Sequence, residues 1–419
     1  MSEPTAKTSV KPQHAPQTGF AAVDGMLQVG GVGLDRLAQR VGSTPFYAYD
    51  RALLTARVVS LRAALPPAMR IHYSMKANPM PALVQHMARL VDGIDIASGG
   101  ELAVALDAGM AAAAISIAGP GKSEAELAQS VAAGICINVE SLGEIERVAR
   151  IADRLGVQAR VALRINPDFE LKSSGMRMGG GAKPFGIDVE QAPAALRRIG
   201  QLQMDWIGLQ IFAGSQSLNA AAIMEAHRGS VLLALRLLEH APQALRLLTI
   251  GSGFGIPYFP GDQALQLDAI GDNLAACQAQ LIATVPQAVL ALELGRYLVG
   301  EAGVYVARVV ERKTSRGELF LVTDGGLHHH LAASGNFGQV IRKNYPVAIG
   351  NRMDAAVDTR EVASVVGPLC TPLDVLADRM LLAPACEGDL VVVFQSGAYG
   401  LTASPVAFLG HPVAREVLV

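Results

Sequence analysis

The chain has 419 residues, with 35 Lys and Arg against 37 Asp and Glu and a formal net charge of −2. Hydrophobic residues make up 51% and charged residues 17%, below the roughly 25% usual in soluble domains, which excludes a disordered chain. A near-neutral balance without basic blocks excludes a nucleic-acid binder held by phosphate contacts, and four scattered cysteines (Cys136, Cys277, Cys370, Cys386) form neither a disulfide scaffold nor a CxxC zinc pair.

The opening MSEPTAKTSVKPQHAPQTGF has no apolar h-region. Residues 1–28 therefore read as a disordered lead-in without a secretory signal, and the protein as cytoplasmic. From residue 71 onward eight short apolar runs recur: IHYS (71–74), IDIA (94–97), ISIA (115–118), ICINV (135–139), RVALRI (160–165), WIGLQIF (206–212), LLTI (247–250) and VLALE (289–293). Ala/Leu-rich stretches with helical spacing separate them. Continuous apolar strands alternating with helices imply parallel strands covered on both faces. Eight such units in about 250 residues predict an α/β fold, a (β/α)8 barrel over residues 46–299. The Gly-rich stretch 166–190 reads as a loop insertion. Beyond 300, YVARVVERK, LFLVTDGG, EVASVVG and DLVVVFQSG follow one another without long helices. They predict a mostly antiparallel β domain built from 300–419 together with 29–45. The uncharged stretch 390–410 is broken by Gln395, Ser396 and Pro405, so no membrane span is expected.

Barrel enzymes carry their chemistry in the loops after the strands. Lys76, in YSMKANP after strand one, is a candidate Schiff-base nucleophile if desolvation makes its amine reactive; an ordinary surface lysine is the alternative. GSGFGI (251–256), after strand seven, offers backbone N–H groups for an anion nest, or is a tight turn and no more. Ile256 stands where a dinucleotide fingerprint needs its third glycine, and Ser116 stands where AGPGKS (118–123) would need the first glycine of a Walker loop. Glu293, ending strand eight, can pair with a protonated ring nitrogen or be an ordinary strand-end acid. A lysine, a phosphate cradle and an acid together match the demands of pyridoxal 5′-phosphate.

In that order YSMKANP, DIASGGEL, GSGFGI, ELGR, GPLCTPLD and SGAYG resemble the fold-type III pyridoxal-phosphate decarboxylases, which include the diaminopimelate and ornithine decarboxylases. The resemblance implies the alanine-racemase-like pairing of barrel and β domain. It makes Lys76 the lysine that carries the cofactor and Glu293 the partner of its ring nitrogen. Phe212 would stack on the ring, while Ser215, Gly253, Gly255, Arg296 and Tyr399 would hold the phosphate side. Cys370 would be the acid/base group at the reacting carbon, supplied by the second subunit of a head-to-tail homodimer. Asp374 would lie beside it, and Arg296, Thr371 and Asp374 would meet the substrate. FAGSQ, GSGFGIPYFPGD and TDGGLHHHLAASGNFGQVIRKNYP are similar to a subgroup associated with exosortase A and exopolysaccharide loci.

The chain departs from the family pattern where the substrate would be read. Gln210 and Phe212 replace two histidines, Thr371 replaces an acid that meets a distal amine, and Leu294 replaces a proline. The expected activity is therefore decarboxylation of an atypical or carrier-protein-tethered amino acid. A racemase on the same fold and a non-catalytic cofactor carrier are the alternatives; Glu293 argues against the first and the C-terminal domain against the second. Arg177 and Lys183 are candidate cations for a substrate carboxylate. His328, His329 and His330, read as consecutive residues of one strand, point to opposite faces and predict no metal.

Overall fold

The computed structural model describes residues 13–419 except 172–174, 338 and 340. Residues 1–12 of the expected lead-in lie outside the described residues, as does the side chain of Arg177.

Eight parallel strands close into a barrel: Arg70–Ser74, Gly93–Ile96, Ile115–Ile117, Cys136–Val139, Arg160–Asn166, Asp205–Ile211, Leu247–Gly251 and Val289–Leu294. Each pairs with the next in chain order, and the eighth returns to the first, Glu293 lying opposite His72. Every predicted run overlaps one of these strands, to within a residue at either end. Serine caps set where several of the intervening helices start. Ser98, Ser123 and Ser141 accept the amides of Glu101, Glu126 and Glu144, a contribution of about 1 kcal/mol each. Because the helices begin so soon after the strands, the loops at that end stay short and hold their side chains over the barrel mouth.

The second domain is an eight-stranded sheet organised around the long strand Gly303–Ser315. Most of its pairings are antiparallel, with two parallel exceptions: Glu318–Thr323 with Glu361–Val366, and Phe46–Tyr49 with Arg415–Leu418. Phe46–Tyr49, expected to open the barrel, also runs antiparallel to Gly303–Ser315 and so belongs to this second sheet. Its four residues are all buried, and a fully buried run carries no mark of which sheet it joins. The lead-in expectation also needs correcting. Ala22–Val23 and Met26–Val29 pair in a hairpin, and Leu27 and Val29 are buried with Leu34, Phe46, Val304 and Phe394 in a core joining residues 20–46 to the C-terminal sheet. Short strands with polar ends escape a reading tuned to longer runs. The three histidines lie in a turn rather than a strand, all buried. Among the described residues no helix is long and apolar enough to cross a membrane.

Candidate active site

The carboxyl ends of the barrel strands surround a cavity of about 280 Å³. Lys76 enters it from the short turn Met75–Ala77 that follows strand one, with Nζ 5.5 Å from the centroid of the Phe212 ring. Lys76 is exposed at the cavity mouth. Phe212 lies against Gly251, where a Cβ would come within 2.7 Å of the ring, so only glycine lets the ring lie there.

Glu293 is buried at the cavity floor. Gln210 Nε2 donates to its Oε1 at 2.5 Å. A second buried carboxyl, Asp95 at the end of strand two, reaches Glu293 and also accepts the Ser116 hydroxyl. Burial, then the charge of Glu293, push Asp95 well above the ordinary carboxylate range. His72 packs beside them and burial lowers its pKa. Asp95, His72 and the Gln210 contact were missed in the sequence; the one signal was an acid or a histidine inside an apolar strand.

The cavity mouth is mainly apolar, with Ala97, Ala118, Pro120, Met178 and Phe185. Its one basic residue besides Lys76, among the described residues, is Arg164, which stacks 5.2 Å from the Phe185 ring and donates to Glu140 Oε1 at 2.7 Å. Glu140 also accepts the amides of Gly119 and Gly186. Lys122 of the Walker-like stretch is a buried structural group, donating to Gly119 O, Asn138 O and Glu144 Oε1.

A second cavity of about 190 Å³ opens beside the glycine loop, lined by Gln216, Tyr258, Arg296, Phe337, Tyr345 and Tyr399 among others. The Arg296 guanidinium stacks 4.7 Å from the Tyr399 ring. Tyr399 donates its amide to Ala77 O at 2.7 Å and Asn78 Nδ2 donates to Gly397 O at 2.9 Å, which fastens SGAYG of the second domain to the Lys76 turn. Gly253 takes φ +75°, the left-handed region glycine favours. Gly255, expected to turn its amide to a phosphate, instead donates to Ser217 O, while Ser217 donates to Gly253 O. A Cβ on Gly255 would lie 2.9 Å from Ser217 O, so this glycine serves close approach of the two loops. Ser215 sits in that neighbouring loop, paired with Met176. His227 braces the loop from behind through Ser252 O.

The structure does not bring Cys370, Thr371 or Asp374 of the same chain into either cavity. Cys370 is exposed on a turn of the second domain. Thr371 caps that turn, its Oγ1 accepting the Leu373 amide at 3.4 Å. Asp374, expected beside the substrate, is buried and its two oxygens accept the amides of Leu327 and Leu369. A Cβ at Gly326 or Gly367 would collide with that carboxylate, so Asp374 braces a crossing of three segments. His329 and His330 are likewise engaged, with Pro412 O and Ser396 Oγ, and no group of metal-ligating residues occurs among the described residues.

An amine, an aromatic face, a buried acid and an arginine–tyrosine pair beside a glycine loop are what a pyridoxal ring and its phosphate require. Residues 51–300 match the family model described as pyridoxal-dependent decarboxylase, pyridoxal binding domain. The chain is 39% identical over 379 residues to the L-glutamyl-[BtrI acyl-carrier protein] decarboxylase of Niallia circulans, covering 90% of this chain and 88% of that one. It is 34% identical over 403 residues to the diaminopimelate decarboxylase of Aquifex aeolicus, covering 94% and 91%. The crystal structure of diaminopimelate decarboxylase from M. jannaschi superposes with a TM-score of 0.85 at 25% identity, covering 95% of this chain and 92% of that one. The chain belongs to the pyridoxal-dependent decarboxylase family. It is a pyridoxal-phosphate-dependent carboxy-lyase that decarboxylates an amino acid.

Proposed function

We propose that the substrate is an amino acid whose distal end is neutral because it is joined to a carrier protein. The observation that carries this is the mouth of the Lys76 cavity. Among the described residues its wall above the Asp95–Glu293 floor is mainly apolar and holds no further acid, and the nearby Glu140 carboxylate is already taken by Arg164 and two amides. A free distal ammonium finds no available acid there, whereas a neutral acyl linkage enters without desolvating a charge. Thr371 at the position of the family's amine-reading acid, and a relative whose name specifies a glutamyl-carrier substrate, support the same reading.

When bound, pyridoxal phosphate would supply the electron sink that loss of the α-carboxyl as CO2 requires. The protein's own work is positional. Lys76 would offer the anchoring amine, Phe212 would cover the ring, and Glu293 would hold negative charge for its nitrogen. Arg296, Tyr399, Ser215 and the Gly253 turn would hold the phosphate. Cys370, from the second subunit of a homodimer, returns a proton to Cα. The exposed apolar side chains Leu373, on the Cys370 turn, and Ile341, 58% and 77% accessible, support burial against a second copy. Arg342 links their two segments through Val375 O. We take the enzyme as cytoplasmic and as part of the exosortase-associated subgroup that its GSGFGIPYFPGD and TDGGLHHH motifs resemble.

The test is CO2 release from a panel of free amino acids and the same amino acids loaded on a carrier protein. Turnover of the loaded forms with little from the free ones is expected. Strong turnover of free diaminopimelate with none of tethered substrates would sink the reading.

A further inference from the structure

Two carboxyl groups and one primary amide meet at the floor of the cavity. Glu293 comes from strand eight, Asp95 from strand two and Gln210 from strand six, and all three are at least nine-tenths buried. Gln210 Nε2 donates to Glu293 Oε1, which settles which end of that amide faces the acid. Gln210 Oε1 finds no partner. Asp95 accepts the Ser116 hydroxyl on Oδ1 and lies within hydrogen-bonding reach of Glu293. Two carboxylates in contact away from water cannot both ionise, so one proton must bridge them.

The surroundings decide which group holds it. Glu293 is the better stabilised anion, because it receives a committed amide donor from Gln210. Asp95 receives one hydroxyl. The other polar and titratable groups around the pair are His72, Ser74 and Lys76 from strand one and its turn, Cys136 from strand four and, in the same cavity, Arg164 of strand five, which is paired with Glu140. His72 is kept neutral by burial, and the Cys136 thiol is pushed up to about 12. Lys76 is the nearest cation and is the amine committed to the cofactor.

We infer that Asp95 is a protonated positioning residue that donates its carboxylic hydrogen to Glu293, and that Gln210 donates from the other side, so that Glu293 alone presents the negative charge to the cofactor ring. A glutamine suits this arrangement better than a histidine would. Its donor does not titrate, so the clamp on Glu293 stays unchanged across the pH range in which an imidazole would change charge.

This inference rests on Glu293 being the acid that faces the ring, and the experiment separates the two. The infrared difference between the native holoenzyme and Asp95→Asn at neutral pH is expected to contain the carbonyl stretch of a protonated carboxylic acid. Asp95→Asn keeps a donor of similar shape and is expected to retain bound cofactor through gel filtration. Asp95→Ala, which leaves a buried acceptor unsatisfied, is expected to hold it about tenfold more weakly. Absence of the acid band, or loss of cofactor from Asp95→Asn equal to that from Asp95→Ala, would overturn the inference by showing that an ionised Asp95 is what the site needs. If Asp95→Ala does not fold, the infrared result and Asp95→Asn decide alone. Glu293→Gln tests the underlying reading: an unchanged cofactor absorption spectrum in that variant would defeat the role of Glu293 while leaving the infrared result on Asp95 readable.

Discussion

The two domains hold their functional residues in opposite ways. In the barrel, Glu293, Asp95, Gln210 and Arg164 each have a partner from another strand or loop, and the Lys76 turn is tied to SGAYG. That half of the site is assembled within one chain. In the β domain the equivalent turn presents Cys370 to solvent, beside exposed Leu373 and away from both cavities. The cofactor end is thus preorganised by one chain, while the proposed proton donor is displayed on a surface. In the proposed homodimer one chain would hold the ring and a second copy would bring the thiol over it.

The largest effect should come from Lys76→Ala. The variant is expected to lose the absorbance that borohydride bleaches in the parent protein, and CO2 release should fall by about 10³-fold or more. Cys370→Ala is expected to keep that absorbance yet lose about 10²–10⁴-fold in rate, the scale of one general acid. Mixing the two inactive variants sharpens the comparison. If the thiol crosses between subunits, mixed dimers have one intact site and recover about a quarter of parental activity. Recovery of none would mean that Cys370 serves its own chain or no site at all.

The barrel and its strand-end residues were legible because both rest on local signals. A buried parallel strand must be apolar throughout, and a lysine or an acid at its end stands out by residue type. What could not be read were relations across the chain. Asp95 lies in GIDI, and nothing in those four residues announces a contact with Glu293 on the far side of the closed barrel. GSGFGI showed where backbone comes close, yet the direction of the Gly255 amide depends on Ser217, which has no mark in sequence. Asp374 followed a cysteine motif and was read as a substrate group; the amides of Leu327 and Leu369 claim it instead. Residue type reveals what a side chain can do, and tertiary pairing decides whether it is free to do it.

Asp374 gives the next test down in size. Its replacement by Ala leaves two buried amides without an acceptor, a cost of about 1–3 kcal/mol for each group left unpaired. Urea unfolding should register that loss while the cofactor absorbance and the KM stay near parental values. A raised KM with unchanged stability would return Asp374 to the substrate.

The smallest effect concerns pH and again divides the two domains. His227 lies behind the glycine loop of the barrel, and His328 and His330 lie in the β-domain turn; burial takes the first two down to about 4 and His330 down to about 3. An exposed imidazole in the unfolded chain titrates near about 6.5. Between these values the unfolded state binds more protons than the folded one, so stability must fall as pH drops from about 6.5 toward 4, and these groups contribute no slope above that window. Burial also lowers His72 and His86 in the barrel and His329 in the turn, and the deepest shift is that of His330, so the β domain should weaken first on acidification. The single tryptophan, Trp206, is fully buried in barrel strand six and reports the barrel by fluorescence, while amide exchange along Gly303–Ser315 reports the other sheet. Protection of the amides along that strand, relative to their intrinsic exchange at each pH, should fall by pH 5 before Trp206 emission shifts. His330→Gln keeps a donor for Ser396 without an imidazole to protonate and should flatten the slope. Simultaneous loss of both signals, unaltered in that variant, would mean that the two domains unfold as one unit and that the acid response lies elsewhere.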